Sequence, residues 1–127
     1  MAPEGVPRVR LETATRGDVT VIALEGALDG GTVPEVQDSL DRMVPSWDIV
    51  LLDLSRMSYL SSEGLRLLLL LYRHIRLRDG QLALAGMSED VRTVLQATGF
   101  LDTLLVADDV EEGLESLGAG KTERDGS

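Results

Sequence analysis

A chain of 127 residues has room for one domain core and not for two. Its 22 acidic against 12 basic residues leave a formal net charge of −10, so on average the surface repels phosphate backbones and anionic lipid. Direct nucleic-acid binding and membrane insertion are therefore not expected. The absence of cysteine removes disulfides and thiolate metal sites. With Trp47, Tyr59, Tyr72 and Phe100 the only aromatics, the core has to be aliphatic.

Residues 1–7, with two prolines and a glycine, and residues 118–127, small and polar, read as flexible tails around one unit spanning 8–117. The tail before it carries no apolar run of the signal-peptide kind, and the longest apolar run, 67–72, is far short of the ~20 residues that span a bilayer. A cytoplasmic location is the expectation.

Residues 8–15 alternate moderately and predict an edge strand, followed by turn chemistry at Arg16-Gly17-Asp18. Residues 19–24 are β-branched and apolar on both faces, as a central strand requires. Gly26, Gly30 and Gly31 loosen the next loop, Thr32 reads as an N-cap, and Pro34 suits a first helical turn. Val36, Leu40, Met43 and Val44 then recur at helical spacing.

A second buried strand covers 49–52 and ends at Asp53-Leu54-Ser55. A helix follows over 63–78, closed by Asp79-Gly80, then a strand at Gln81–Ala85. Ser88 caps a helix through Val91, Val94 and Leu95 that Gly99 ends, 104–106 is a further strand, and Asp108 caps a last helix. Strands alternating with helices predict an α/β domain with a mostly parallel sheet of four to five strands and helices packed against it. The opening pair should be antiparallel because only a tight turn joins it.

In such a sheet the working site lies beyond the carboxyl ends of the strands. There the chain reads Ser55-Arg56-Met57-Ser58-Tyr59-Leu60-Ser61-Ser62-Glu63-Gly64-Leu65, two adjacent hydroxyls at a helix mouth. One reading is an N-cap serine beside a solvated neighbour. The other is a phosphorylation site, since a helix N-terminus offers free N–H groups and partial positive charge to a phosphate. Glu63, Asp29 and Asp53 are the expected neighbours, and their repulsion of a phosphoryl group would suit an on/off contact surface.

The stretch from Leu52 to Leu65, with Leu24-Glu25-Gly26-Ala27-Leu28-Asp29 before it and Ala97-Thr98-Gly99-Phe100 after it, resembles the STAS domain of anti-sigma factor antagonists from about residue 8 to 117. The resemblance implies a STAS-like fold and a non-enzymatic protein that needs no cofactor of its own. It implies control of transcription through an anti-sigma factor Ser/Thr kinase, which binds the unmodified antagonist, frees a sigma factor, and phosphorylates a serine from its own nucleotide. A phosphatase would reverse the mark. Carried over, the acceptor is Ser62, with Ser61 as second choice, and the partner surface includes Asp29, Ser61, Ser62 and Glu63. Two positions depart from the common pattern: Ser61 stands where many members have Asp, and Glu63 where many have Ser or Thr. The rival within the family is a non-switching scaffold subunit of a membrane transporter complex.

On the long helix, 100° per residue puts Leu65, Leu68, Leu69, Tyr72 and Ile75 on the expected core stripe, with Leu67 and Leu70 pointing away. These two read either as part of a broad buried face or as a docking patch for the partner. His74 lies opposite the core stripe and reads as solvent-facing, and no Gly-x-Ser-x-Gly elbow or phosphate-cradling loop is present. A phospho-aspartate receiver would need a lysine near its last strand, whereas the only lysine is Lys121. The acidic group Asp108, Asp109, Glu111, Glu112 and Glu115 reads as a solvated face.

Overall fold

The computed structural model describes residues 9–43 and 48–118. Trp47, Val44 and the two expected tails lie outside the described residues, apart from Gly118.

Strands β1 (Val9–Arg16) and β2 (Val19–Leu28) form the antiparallel pair that the Arg16-Gly17-Asp18 turn calls for. After helix α1 (Val33–Met43), β3 (Ile49–Asp53) pairs parallel with β2. A short strand β4 (Met57–Leu60) and the long helix α2 (Ser62–Leu77) follow. β5 (Gln81–Ala85), α3 (Glu89–Gln96), a single 3-10 turn at Phe100–Thr103, β6 (Leu105–Ala107) and α4 (Val110–Leu117) complete the chain. The sheet runs β1-β2-β3-β5-β6, parallel except for β1, with β4 also paired to β2.

That makes six strands, one more than the upper expectation. The extra strand is β4, and it changes the course of β2. β3 stops opposite Ala23, and β4 then continues along the same side of β2, setting Leu60 opposite Leu28. The register shifts between Gly26 and Ala27, where Gly26 takes a φ of 96° that a side chain would resist, and its N–H donates to the Arg56 carbonyl at 2.9 Å. Gly26 is thus a bulge inside a ten-residue strand rather than the start of a loop.

The two faces of the sheet are unequally covered. Ile22, Leu24, Leu28, Val50, Leu52, Leu82 and Leu84 join residues of α1, α2 and α3 in the main core. The opposite face holds a smaller cluster in which Val19, Leu51, Ala83, Ala85 and Ala107 meet Leu114 and Leu117 of α4. The cap of α4 is Asp109, whose carboxylate accepts the Glu112 N–H at 2.9 Å, and not Asp108 as expected.

The core stripe of α2 is turned from the one expected. Its buried residues are Gly64, Leu67, Leu68, Leu71 and Ile75, while Leu65, Leu69 and Tyr72 are half-buried. Leu67 is 5% exposed, so the expectation that it points away from the core is corrected. The reason is that α2 is flanked as well as floored. Leu67 and Leu71 line a groove with Leu40 of α1 and share the main core with it, and on the other flank Tyr72 stands edge-on to Phe100 with ring centroids 5.5 Å apart. Leu70 does lie outside, 47% exposed. His74 is exposed.

Candidate functional site

The site is assembled where β2, β4 and α2 meet. Leu60 closes β4 in the core, and the next residue must leave the strand and open a helix within one peptide unit. Ser61 does this with extended backbone (φ −91°, ψ 176°) and a hydroxyl that accepts the Gly64 N–H at 3.2 Å. Its own N–H donates to the Leu28 carbonyl at 3.0 Å, pinning the helix mouth to the end of β2. Ser62 is therefore the first helical residue, exposed, and its hydroxyl does not serve as the cap.

The two serines are thus distinct in kind. Ser61→Ala should cost about 1 kcal/mol by orphaning the Gly64 amide, whereas Ser62→Ala should stay within about 0.5 kcal/mol. Chemical denaturation of the two variants checks the assignment: equal losses would show that Ser61 is not the structural cap.

Gly64 lets this mouth approach so closely. A Cβ there would stand 2.5 Å from the Leu28 carbonyl oxygen and 2.9 Å from side-chain carbons of Leu28 and Leu60. Asp29 builds the facing turn, its carboxylate accepting the N–H groups of Gly31 (2.9 Å) and Thr32 (3.1 Å). Thr32 begins α1 as expected, its carbonyl accepting the Val36 N–H, but its buried hydroxyl points back. It donates to the Ala27 carbonyl at 2.7 Å and accepts the Asp29 N–H at 3.0 Å.

Glu63 bridges the helix mouth and the facing turn. Its carboxyl group lies 3.6 Å from where a Cβ on Gly30 would stand. Its carboxyl is held below the ordinary glutamate range, first by its own backbone N–H and then by the Ser61 hydroxyl, with smaller help from Ser62 and Arg66 against partial desolvation. A carboxylate thus already occupies part of the positive end of α2, beside the exposed Ser62.

Asp53 is not a neighbour of this site. It ends β3 opposite Ala23, five residues before Leu28 on β2, about 16 Å of strand away. Its carboxylate accepts the Ser55 hydroxyl at 2.7 Å and lines a separate hollow with Asp108 and Asp109. The expectation that Asp53 borders the helix mouth fails because residues Met57–Leu60 form a strand rather than a loop. Among the described residues no cluster of three or more His, Asp or Glu is placed to hold a metal ion. No helix among them is long and apolar enough to cross a membrane.

The STAS domain family model matches residues 10–113. The chain belongs to the STAS domain family of anti-sigma factor antagonists. The protein BtrV of Bordetella bronchiseptica is 33% identical over 92 residues, covering 72% of this chain and 79% of BtrV. The anti-sigma-B factor antagonist of Listeria monocytogenes is 31% identical over 84 residues, covering 65% of this chain and 74% of that protein. Among solved structures, the anti-sigma factor antagonist SpoIIAA in its unphosphorylated form is 26% identical, with a TM-score of 0.71 over 87% of this chain and 96% of that one. The phosphorylated form of SpoIIAA, from Bacillus, gives a TM-score of 0.67 at 24% identity over 86% and 98% of the two chains. The bulged β2 and the α2 mouth of this STAS domain fall within the matched residues.

Proposed function

We propose that this STAS domain is a phosphorylation-controlled antagonist that binds an anti-sigma factor Ser/Thr kinase through the mouth of α2, releases a sigma factor, and is switched off by phosphate on Ser62. The observation that carries the reading is the division of labour between the serines. Ser61 is engaged as the cap, while Ser62 presents an exposed hydroxyl on the first turn of the helix. A protein acting this way works by contact rather than catalysis, and a phosphatase is needed to restore the binding form.

The switch acts through charge at the contact. A phosphate on Ser62 gains about 0.3–1 kcal/mol from the helix end, and repulsion from Glu63 and Asp29 is of similar size. The fold should therefore change little, and the partner should meet a new dianion beside two carboxylates. Incubation with the cognate kinase and ATP should add one phosphate, mapped to Ser62 and absent from Ser62→Ala. Ser62→Asp should keep the wild-type circular dichroism and melting temperature while losing kinase affinity. Phosphate mapped to Ser61 would refute the acceptor assignment. A Ser62→Asp variant that binds as tightly as wild type would refute the switch.

A further inference from the structure

The two ends of the sheet are defended unequally. At one end β6 is three residues long, which leaves little backbone for another strand to pair with. At the other end β1 pairs with β2 through all eight of its residues in unbroken register. Among the described residues no strand lies on its outer side. β1 holds no proline, glycine or lysine, and no bulge turns it away. Its charges are Arg10, Glu12 and Arg16, and their order decides what the edge accepts.

The two-residue turn at Gly17-Asp18 closes the hairpin on the Arg16–Val19 pair, which therefore exchanges both of its main-chain hydrogen bonds. By the same alternation Ala14, Glu12 and Arg10 are committed to β2. Val9, Leu11, Thr13 and Thr15 then point their N–H and C=O groups outward, away from β2. The side chains alternate with the same period. Val9 and the half-buried Leu11 pack on the main core. On the opposite face Glu12 lines a hollow with Ala23, Glu25 and Asp53, and Arg16 reaches Glu111 at 3.1 Å.

We propose that the outer edge of β1 pairs antiparallel with the β1 edge of a second copy of this chain, about a two-fold axis at Leu11. Outward-pointing residues must oppose outward-pointing residues, which leaves few registers. With Leu11 opposite the partner's Leu11, Val9 meets the partner's Thr13, and Arg10 stands opposite the partner's Glu12 at a position where side chains lie closest. The two-fold axis repeats each contact, giving two Arg–Glu pairs and about six main-chain hydrogen bonds. Neighbouring registers oppose like charges: Glu12 to the partner's Glu12 on one side, Arg10 to the partner's Arg10 on the other. A further shift opposes Arg10 to the partner's Arg16, and the next sets Glu12 against an arginine that Glu111 already holds. Charge order thus selects both the occupant and the register. The net charge of −10 on each copy opposes the association, but that repulsion is screened beyond about 8 Å at physiological ionic strength, whereas the Arg–Glu pairs are in contact. No residue of the α2 mouth takes part, so the pairing stands apart from the Ser62 reading.

The experiment is sedimentation equilibrium of the full chain over a concentration series, with four variants beside the wild type. The wild type should approach twice its monomer mass. Arg10→Glu and Glu12→Arg, each of which sets like charges opposite one another, should weaken the dimer about tenfold or more. The double variant Arg10→Glu/Glu12→Arg exchanges the two charges and should restore it. Thr13→Pro removes an N–H that β2 does not use, so its melt should stay near wild type while the dimer is lost. A wild type that remains monomeric throughout the series overturns the proposal. So does a dimer that neither single charge variant weakens, because its interface then lies elsewhere. A double variant as monomeric as the single ones overturns the register, and with it the charge argument that selects a second copy.

Discussion

Leu67→Glu should unfold a large fraction of the protein near physiological temperature, whereas Leu70→Glu, three residues on, should leave the melt almost unmoved. Leu67 is 5% exposed on the floor between α1 and α2 and belongs to the main core. Burial of such a side chain contributes roughly 1.5–3 kcal/mol, and a carboxylate in its place would stand among the apolar Leu40 and Leu71. The expected loss is about 3–5 kcal/mol, which lowers the melting temperature by roughly 15 °C or more in a domain of this size. Leu70 is 47% exposed, and its substitution should stay within about 0.5 kcal/mol. Thermal melts of the two variants side by side decide the matter; equal melts would show that the α2 stripe is misassigned.

Gly64→Ala is the second large effect, and its sign is set by two opposing terms. Alanine gains about 0.8–1 kcal/mol over glycine inside a helix. The new Cβ would stand 2.5 Å from the Leu28 carbonyl oxygen, a backbone atom held in the sheet beside β4, and 2.9 Å from two buried leucine carbons. Overpacking of that kind costs about 1–3 kcal/mol, and the helix must lift to relieve it. Lifting also stretches the hydrogen bond from the Ser61 N–H to the same Leu28 carbonyl. A net destabilisation of about 1–2 kcal/mol is expected, together with, under the proposed function, reduced kinase binding because Ser62 moves with the helix. Gly64→Val should lose more of both. An alanine variant more stable than wild type would mean that the helix mouth is not seated on β2.

The elements legible in the sequence are those whose signal is local. β2 and β3 announce themselves by β-branched and leucine-rich runs, α2 by its long apolar period, and α3 by Ser88, whose hydroxyl accepts the Val91 N–H at 3.2 Å. The motif around Ser61 and Ser62 carried the family resemblance, and the family model spans the same stretch.

Three features were not legible, for one reason: each is decided by a partner distant in sequence. β4 is four residues long, with Met57 and Leu60 buried and two exposed residues between, so period-two alternation fails; it exists because β2 outlasts β3 and offers a free edge past the Gly26 bulge. Without β4, Asp53 reads as a neighbour of Ser62, and with it the two are separated along the strand.

The side of α2 that is buried was likewise set from outside. Its apolar residues cover much of the helix circumference, so periodicity alone cannot centre the stripe; α1 on one flank and Phe100 on the other do so, taking Leu67 in and leaving Leu70 out. By itself, the sequence determined the α/β class, the alternation of strands and helices, the family, and the pair of hydroxyls at a helix mouth, because propensity, periodicity and capping chemistry act over a few residues. Only the tertiary structure decided which serine caps and which is presented. Ser61 is bound on both sides, by the Leu28 carbonyl and the Gly64 amide, and that pairing depends on β2 reaching the start of α2.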